Sequence, residues 1–401
     1  WRAGWVGYLE WAQMDFSSET AFRAGCAQML DNCAGLGLNT VLAQVRPFGD
    51  ALYKSSLFPW SHLCTGTQGA DPGFDPLDVL LQEAHGRGLS VEAWLNPYRL
   101  RVNKASFSTN YIIAVATDEK YRKRGLMGRL LKHVMREMYD RKEPFTFLMP
   151  AAEAIYYPYD FRFVYNQGQC EVSGREKKEE TLKIVLADEK DCVKLAEFAN
   201  QFLKDEQVVA VRDEKYYRTV LAEQKSEQGG IVMTKRDDHI VGMYCYAKGE
   251  RYEIREPLFL REEDFLHAVY TLTGNEQERV KCGAYGTEKE VPMIMVRILH
   301  LETFLKCFSL KEDVDFYVQV IDLFLEENHH IFHIVGDALN GVTVVGRCET
   351  PEHSCGAISV GELTNLMFGY PSKEDRHLEK ELKENLKKFI PLSKVFLNEV
   401  V

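Results

Sequence analysis

In the stretch "NYIIAVATDEKYRKRGLMGRLLKHVMREMYDR", Arg122, Arg124, Gly125 and Gly128 have the types and spacing to hold an anion. A strand gives way here, through a short basic turn, to a helix. The first N–H groups of a helix have no partner inside it, and the helix dipole favours negative charge at that end. Glycine lets the backbone approach a ligand closely and the guanidinium groups add charge, so the turn reads as a pyrophosphate cradle. The same residues also describe an ordinary strand-to-helix turn with solvated basic side chains, and a lone "RxxGxx" does not separate the two readings. Leu126, Leu130, Val134 and Met138, at i, i+4 spacing, form the expected buried stripe of the helix.

Other chemistry-bearing types are scattered. In "NHHIFH", His330 and His333 could share a helical face, but the flanking residues read as strands and no third ligand stands at metal spacing. The expectation is no metal site. Ten cysteines without a CxxC pair read as free thiols in a reducing cytoplasm, Cys348 and Cys355 among them. Tyr156 lies among Tyr157, Tyr159, Phe161, Phe163 and Tyr165, a density that core packing explains.

The elements that must carry these residues belong to a chain of 401 residues, long enough for two or three cores. A net charge of −11 argues against general nucleic-acid binding and suits a handler of cationic substrates. No apolar run is long enough for a membrane span, and "WRAGWVGYLEW" lacks the pattern of a signal peptide. A first residue of Trp reads as a fragment or a processed chain.

Residues 1–100 alternate strand and helix, the plan of a parallel α/β fold. "WVGYLEW" reads as a strand, and Thr20 as the cap of a helix with Phe22, Cys26, Met29 and Cys33 on one face, stopped by Gly35 and Gly37. "NTVLAQVR" is the second strand. Asp75 and Pro76 cap and open the next helix, which ends near Gly86 and Gly88, and "LSVEAWLNPYR" is the third strand. The phrases "GLNTVLAQVRPFGDALYKSSLFPWS", "GTQGADPGFDPL" and "AHGRGLSVEAWLNPYR" resemble the opening of the glycosyl-hydrolase-like family 10 (DUF187) barrel proteins. That resemblance implies the first three β/α units of a barrel that needs eight. Glycoside hydrolysis needs two facing carboxylates. Among Glu10, Asp50, Asp71, Asp75, Asp78 and Glu92, only Asp50 stands out as a ligand-binding candidate, and no pair can be nominated.

Downstream, "VATDEKYRKRGLMGRLL" resembles the acetyl-CoA-binding motif of GCN5-related N-acetyltransferases (GNATs), and "FTFLMPAAEAIYYPYDFRFVY" resembles their enhanced-intracellular-survival (Eis) branch. The likeness continues through "SVGELTNLMFGYPS" to the terminal "SKVFLNEVV". It implies that Val115, Ala116 and Thr117 pair with the pantetheine arm of acetyl-CoA. The turn Arg122, Lys123, Arg124, Gly125, Leu126, Met127 and Gly128 would hold the pyrophosphate. Met127 departs from the Gly or Ala common in the wider superfamily, as bulky residues do in the Eis branch. By the same resemblance Tyr156 is the general acid that protonates the leaving thiolate. The free carboxylate of Val401 is the base that takes the proton of a small-molecule amine.

The expected fold is thus α/β and α+β in several domains. A glycosyl-hydrolase-like β/α fragment covers 1–100 and an acetyl-CoA-binding GNAT core, short of its first strands, covers 101–177. A second, degenerate GNAT-like domain covers 178–296, with strands in "GGIVMTKRDDHIVGMYCYAKGERYEIREPLFL" and a helix at "REEDFLHAVYTLTG". A sterol-carrier-protein-like domain covers 297–401. The expected function is acetyl-CoA-dependent N-acetyl transfer in the cytoplasm, by an assembly that the family resemblance makes a hexamer. The alternatives are a carbohydrate-active protein and a chimera with neither activity intact. The phrase "LNPYRLRVN" fits both families and would be the seam.

Overall fold

The computed structural model describes residues 2–46, 50–55, 59–95, 98–112, 124–177, 181–226, 228–249, 251–286, 289–351, 355–371 and 378–398. The chain divides into two compact units, each built from separate stretches: residues 1–96, 171–199 and 212–282 in one, and residues 97–170, 200–211 and 283–401 in the other.

In the first unit, the strands Ala3–Val6, Thr40–Arg46 and Ser90–Leu95 form a parallel sheet in that order. Parallel neighbours need crossovers, and the helices Glu19–Gly35 and Pro76–Gly86 supply them. "WVGYLEW" is not one strand: extended backbone stops at Val6 and a helical turn runs Tyr8–Trp11. The first crossover helix is capped by Ser18, whose hydroxyl accepts from Ala21 N, so Thr20 lies inside it. Asp75 caps the second as its type and place predict, accepting from Leu77 N and Asp78 N. Phe22, Cys26, Leu30, Val41, Ala43, Leu80 and Ala84 are fully buried between helices and sheet.

The same unit contains an antiparallel meander, Leu182–Leu186, Gly230–Arg236, His239–Lys248 and Tyr252–Phe259, joined edge to edge. The helix Glu262–Thr273 follows and stops at Gly274, whose φ of 68° is the left-handed conformation glycine adopts readily.

The second unit holds an antiparallel grouping and a mixed sheet. Phe145–Leu148, Lys289–Ile298 and Arg162–Ser173 pair in that order. The other sheet is the hairpin Tyr98–Val102 and Ala105–Thr109 with Val208–Ala210 and the terminal strand Val395–Phe396. Residues 98–103 of "LNPYRLRVN" thus form the first arm of a hairpin, turned at Asn103 with φ 51°. A four-stranded sheet spans residues Val314 to Ser359 and is followed by the helix Val360–Phe368, opened by a Ser359–Glu362 capping box.

The helix Leu126–Asp140 buries Leu131, Met135 and Met138; of the expected stripe Met138 is buried while Leu130 and Val134 are only half-buried. Repeated i, i+4 steps drift around a helix of 3.6 residues per turn, whereas i, i+4, i+7 stays on one face. No helix among the described residues is long and apolar enough to cross a membrane.

Candidate active site

The strand Phe145–Leu148 is buried along its whole length. After it the chain makes one helical turn, Glu153–Tyr156, then a tighter turn, Tyr157–Tyr159. Asp160 reverses the direction at φ 63°, and the long strand Arg162–Ser173 begins. Pro158 near the start of the tight turn has its φ already fixed and gives up no needed N–H. Tyr156 is thereby turned inward: it is only 8 % exposed and lies edge-on to the buried ring of Phe161. Burial pushes its phenol above the ordinary tyrosine value.

Two arginines hold this turn. Arg162 Nη1 donates to the carbonyls of Tyr157 and Phe161, both at 3.0 Å, and its guanidinium lies 3.7 Å from the centre of the Tyr157 ring. Arg297 Nε donates to the Tyr159 carbonyl at 3.0 Å, and its Nη2 to Asp322 Oδ1 at 2.6 Å. Asp322 is itself fixed by the N–H groups of Phe324 and Leu325. A lone arginine in the apolar run "MIMVRIL" was the sequence signal for this buried pair; its partner, in another strand's end, had none.

The helix Leu126–Asp140 meets the same turn. Gly125 opens it at φ 72°, a left-handed cap that contributes no side-chain hydrogen bond. Its first N–H groups are therefore not covered by a capping side chain, as an anion site requires. A Cβ on Gly128 would stand 2.9 Å from the Tyr159 hydroxyl oxygen. The structure thus brings Gly128 against the residue three places after Tyr156. Arg124 is exposed and Met127 half-buried. Val115, Ala116, Thr117, Arg122 and Lys123 lie outside the described residues, as does Val401; of Leu126 the backbone alone is described.

The last described residues are anchored in the second unit. Val395 and Phe396 pair in parallel with Val208 and Val209. Gln207 donates to the Lys394 carbonyl at 2.8 Å and through its side chain to the Pro391 carbonyl at 3.1 Å. Leu397 is fully buried, and Asn398 is nearly so, its Oδ1 accepting from Tyr165 Oη at 2.6 Å and Gln167 Nε2 at 3.1 Å. A polar residue inside the apolar "VFLNEVV" could have marked this contact; Tyr165 and Gln167 carried no signal of their own.

The remaining candidates separate cleanly. Asp50 is fully buried and its Oδ2 lies 3.3 Å from His62 Nδ1. His333 Nε2 meets Asp315 Oδ1 at 2.6 Å, and its ring stacks on Tyr317. Among the described residues no group of three or more His, Cys, Asp or Glu could hold a metal ion. All ten cysteines are free thiols.

Comparison with known proteins bears on the fold and on part of the chain. Residues 65–164 match the family model described as "Acetyltransferase (GNAT) domain". A probable N-acyltransferase from Enterococcus faecalis V583 shares the fold at a TM-score of 0.60 and 21% identity, covering 74% of this chain and 83% of that one. Eis1 from Mycobacterium abscessus does so at a TM-score of 0.55 and 11% identity, covering 76% and 86%. Among curated proteins, glycosyl hydrolase DigH of Escherichia coli (strain K12) is 55% identical over 106 residues, and glycosyl hydrolase YngK of Bacillus subtilis (strain 168) is 38% identical over 105. The chain spans only 24% and 21% of their lengths. Residues 65–164 thus match a GNAT acetyltransferase domain, and the mixed α/β multidomain fold is shared with solved GNAT and Eis proteins.

Proposed function

We propose that the chain transfers an acetyl group from acetyl-CoA to a small amine, with Tyr156 as general acid and the Val401 carboxylate as base. The carrying observation is Tyr156 itself, a protonated phenol withdrawn from water in the turn that meets the Gly128 helix start. The amine must lose its ammonium proton before it can attack the thioester carbonyl, and the departing thiolate must gain one. A buried phenol suits the second step. The residues before the chain end support the first: Leu397 is fully buried, and Asn398 is held against Tyr165 and Gln167, three steps before Val401.

The glycine-opened helix supports acetyl-CoA as the acyl donor. Gly125, Leu126, Met127, Gly128 and Arg124 would hold its pyrophosphate together with Arg122 and Lys123, and Val115, Ala116 and Thr117 its pantetheine arm. The four domains given above, the sterol-carrier-like close and a hexameric assembly belong to this reading. A second reading follows from the identity to glycosyl hydrolases over 106 residues: a carbohydrate-active N-terminal segment, or a chimeric join near residues 95–105.

Calorimetry with acetyl-CoA, beside a thiol-release assay on a polyamine or an aminoglycoside, tests the first reading. Micromolar binding with thiol release is expected; neither would sink it. Sugar release from oligosaccharides tests the second.

A further inference from the structure

Asn398 uses only one end of its side-chain amide. Oδ1 takes both hydrogen bonds from the strand, one from the Tyr165 phenol and one from the Gln167 amide. On the far side Gln169 Nε2 donates to Gln167 Oε1 at 3.4 Å, and the Gln167 amino group faces Asn398. Asn398 must then present its oxygen. Tyr165, Gln167 and Gln169 stand at alternate positions and share one face of the strand. Nδ2 is left buried with no partner, in a residue only 6 % exposed.

A buried amide donor has given up its water, and without an acceptor it weakens the fold. Tail anchoring needs the oxygen alone. An acceptor that arrives with a ligand accounts for the other end. An ammonium group has donors only and cannot serve, whereas a carbonyl or hydroxyl oxygen can.

We propose that Asn398 is a substrate-contacting residue: its oxygen latches the tail to the strand, and its Nδ2 donates to a carbonyl or hydroxyl oxygen of a bound reactant. The proposal rests on the acetyl-transfer reading above. The oxygen belongs either to the acyl donor or to the amine, and Asn398 neither takes nor gives a proton.

The test separates the two ends of the amide. Asn398→Asp keeps an acceptor for Tyr165 and Gln167 and removes the donor. Asn398→Leu removes the donor without adding charge. Tyr165→Phe with Gln167→Leu breaks the latch and keeps the donor. Loss of the donor should raise one KM about tenfold, the scale of one hydrogen bond. A rise confined to acetyl-CoA assigns the acyl donor's oxygen, and a rise confined to the amine assigns the acceptor's. The latch variant should lower kcat. Tail placement is read without activity by carboxypeptidase digestion and intact mass: the wild type and Asn398→Asp should be trimmed no further than Asn398, and the latch variant beyond it. Both donor-less variants keeping both KM values within twofold of wild type would overturn the proposal. A wild-type chain that neither binds acetyl-CoA nor releases thiol removes the acetyl-transfer reading and this role with it, whatever the trimming result.

Discussion

Arg297 and Asp322 form an ion pair of 2.6 Å with both side chains entirely out of water, and the same guanidinium donates to the carbonyl of Tyr159. The pair therefore ties the turn after Tyr156 to the interior of its unit. A buried charge whose partner is removed has no water to replace it. Arg297→Met should cost about 3–5 kcal/mol, while Arg297→Met with Asp322→Leu should recover much of that loss. Urea unfolding midpoints check both, and a single-variant cost below about 1 kcal/mol would show that the pair does not hold the turn.

Tyr156→Phe removes the phenol and keeps the ring against Phe161. Turnover should fall by about 10²-fold or more, the usual contribution of general acid catalysis. Acetyl-CoA affinity by calorimetry should not change. Equal loss of both would mean that the residue supports the fold rather than the proton transfer.

The pH dependence has a definite sign. Burial raises the Tyr156 phenol above its ordinary value of 10.0. A general acid works while protonated, so Tyr156 should impose no loss of kcat below pH 10 and a fall above it. The folded value exceeds the unfolded one, so its stability contribution is complete below pH 10 and disappears as pH rises through the folded value. A limb near pH 8 that vanishes in Tyr156→Phe would contradict the assignment.

Gly128→Ala places a methyl 2.9 Å from the Tyr159 hydroxyl oxygen and makes that ring move. Acetyl-CoA should bind about tenfold more weakly, a change of about 1.4 kcal/mol. Gly125→Ala strains a residue held at φ 72° and should cost about 1–2 kcal/mol of stability. Calorimetry reads the first and thermal melting the second; an unaltered affinity in Gly128→Ala would separate this helix start from the cofactor.

Asp75→Ala should destabilise the first unit by about 0.5–2 kcal/mol. Its carboxylate accepts from Leu77 N, Asp78 N and Lys54 N, so both the helix start and the preceding loop lose a partner. Circular dichroism melts against Asp78→Ala, which lacks the cap contacts, give the comparison.

Local chemistry made much of this protein legible in its sequence. Asp75 with Pro76 announced a helix start, because a carboxylate and a fixed φ serve the same first turn. Alternating elements announced three parallel strands, and the polar turns in residues 230–259 announced the meander. Gly125 and Gly128 announced a helix that opens without a capping side chain. Errors came where neighbouring choices had nearly equal local energy: Ser18 and Thr20 are both able caps, and two faces of the helix Leu126–Asp140 are apolar enough to bury.

What the sequence determined by itself were properties carried by residues close along the chain: strand and helix propensity, caps, turns and the resemblance of contiguous motifs. Only the tertiary structure decided that Arg297 would pair with Asp322, that Gly128 would face Tyr159, and that Asn398 would meet Tyr165 and Gln167. Those contacts join residues far apart in sequence. They form because a buried charge or amide must find a partner wherever packing brings one, a requirement no local pattern records.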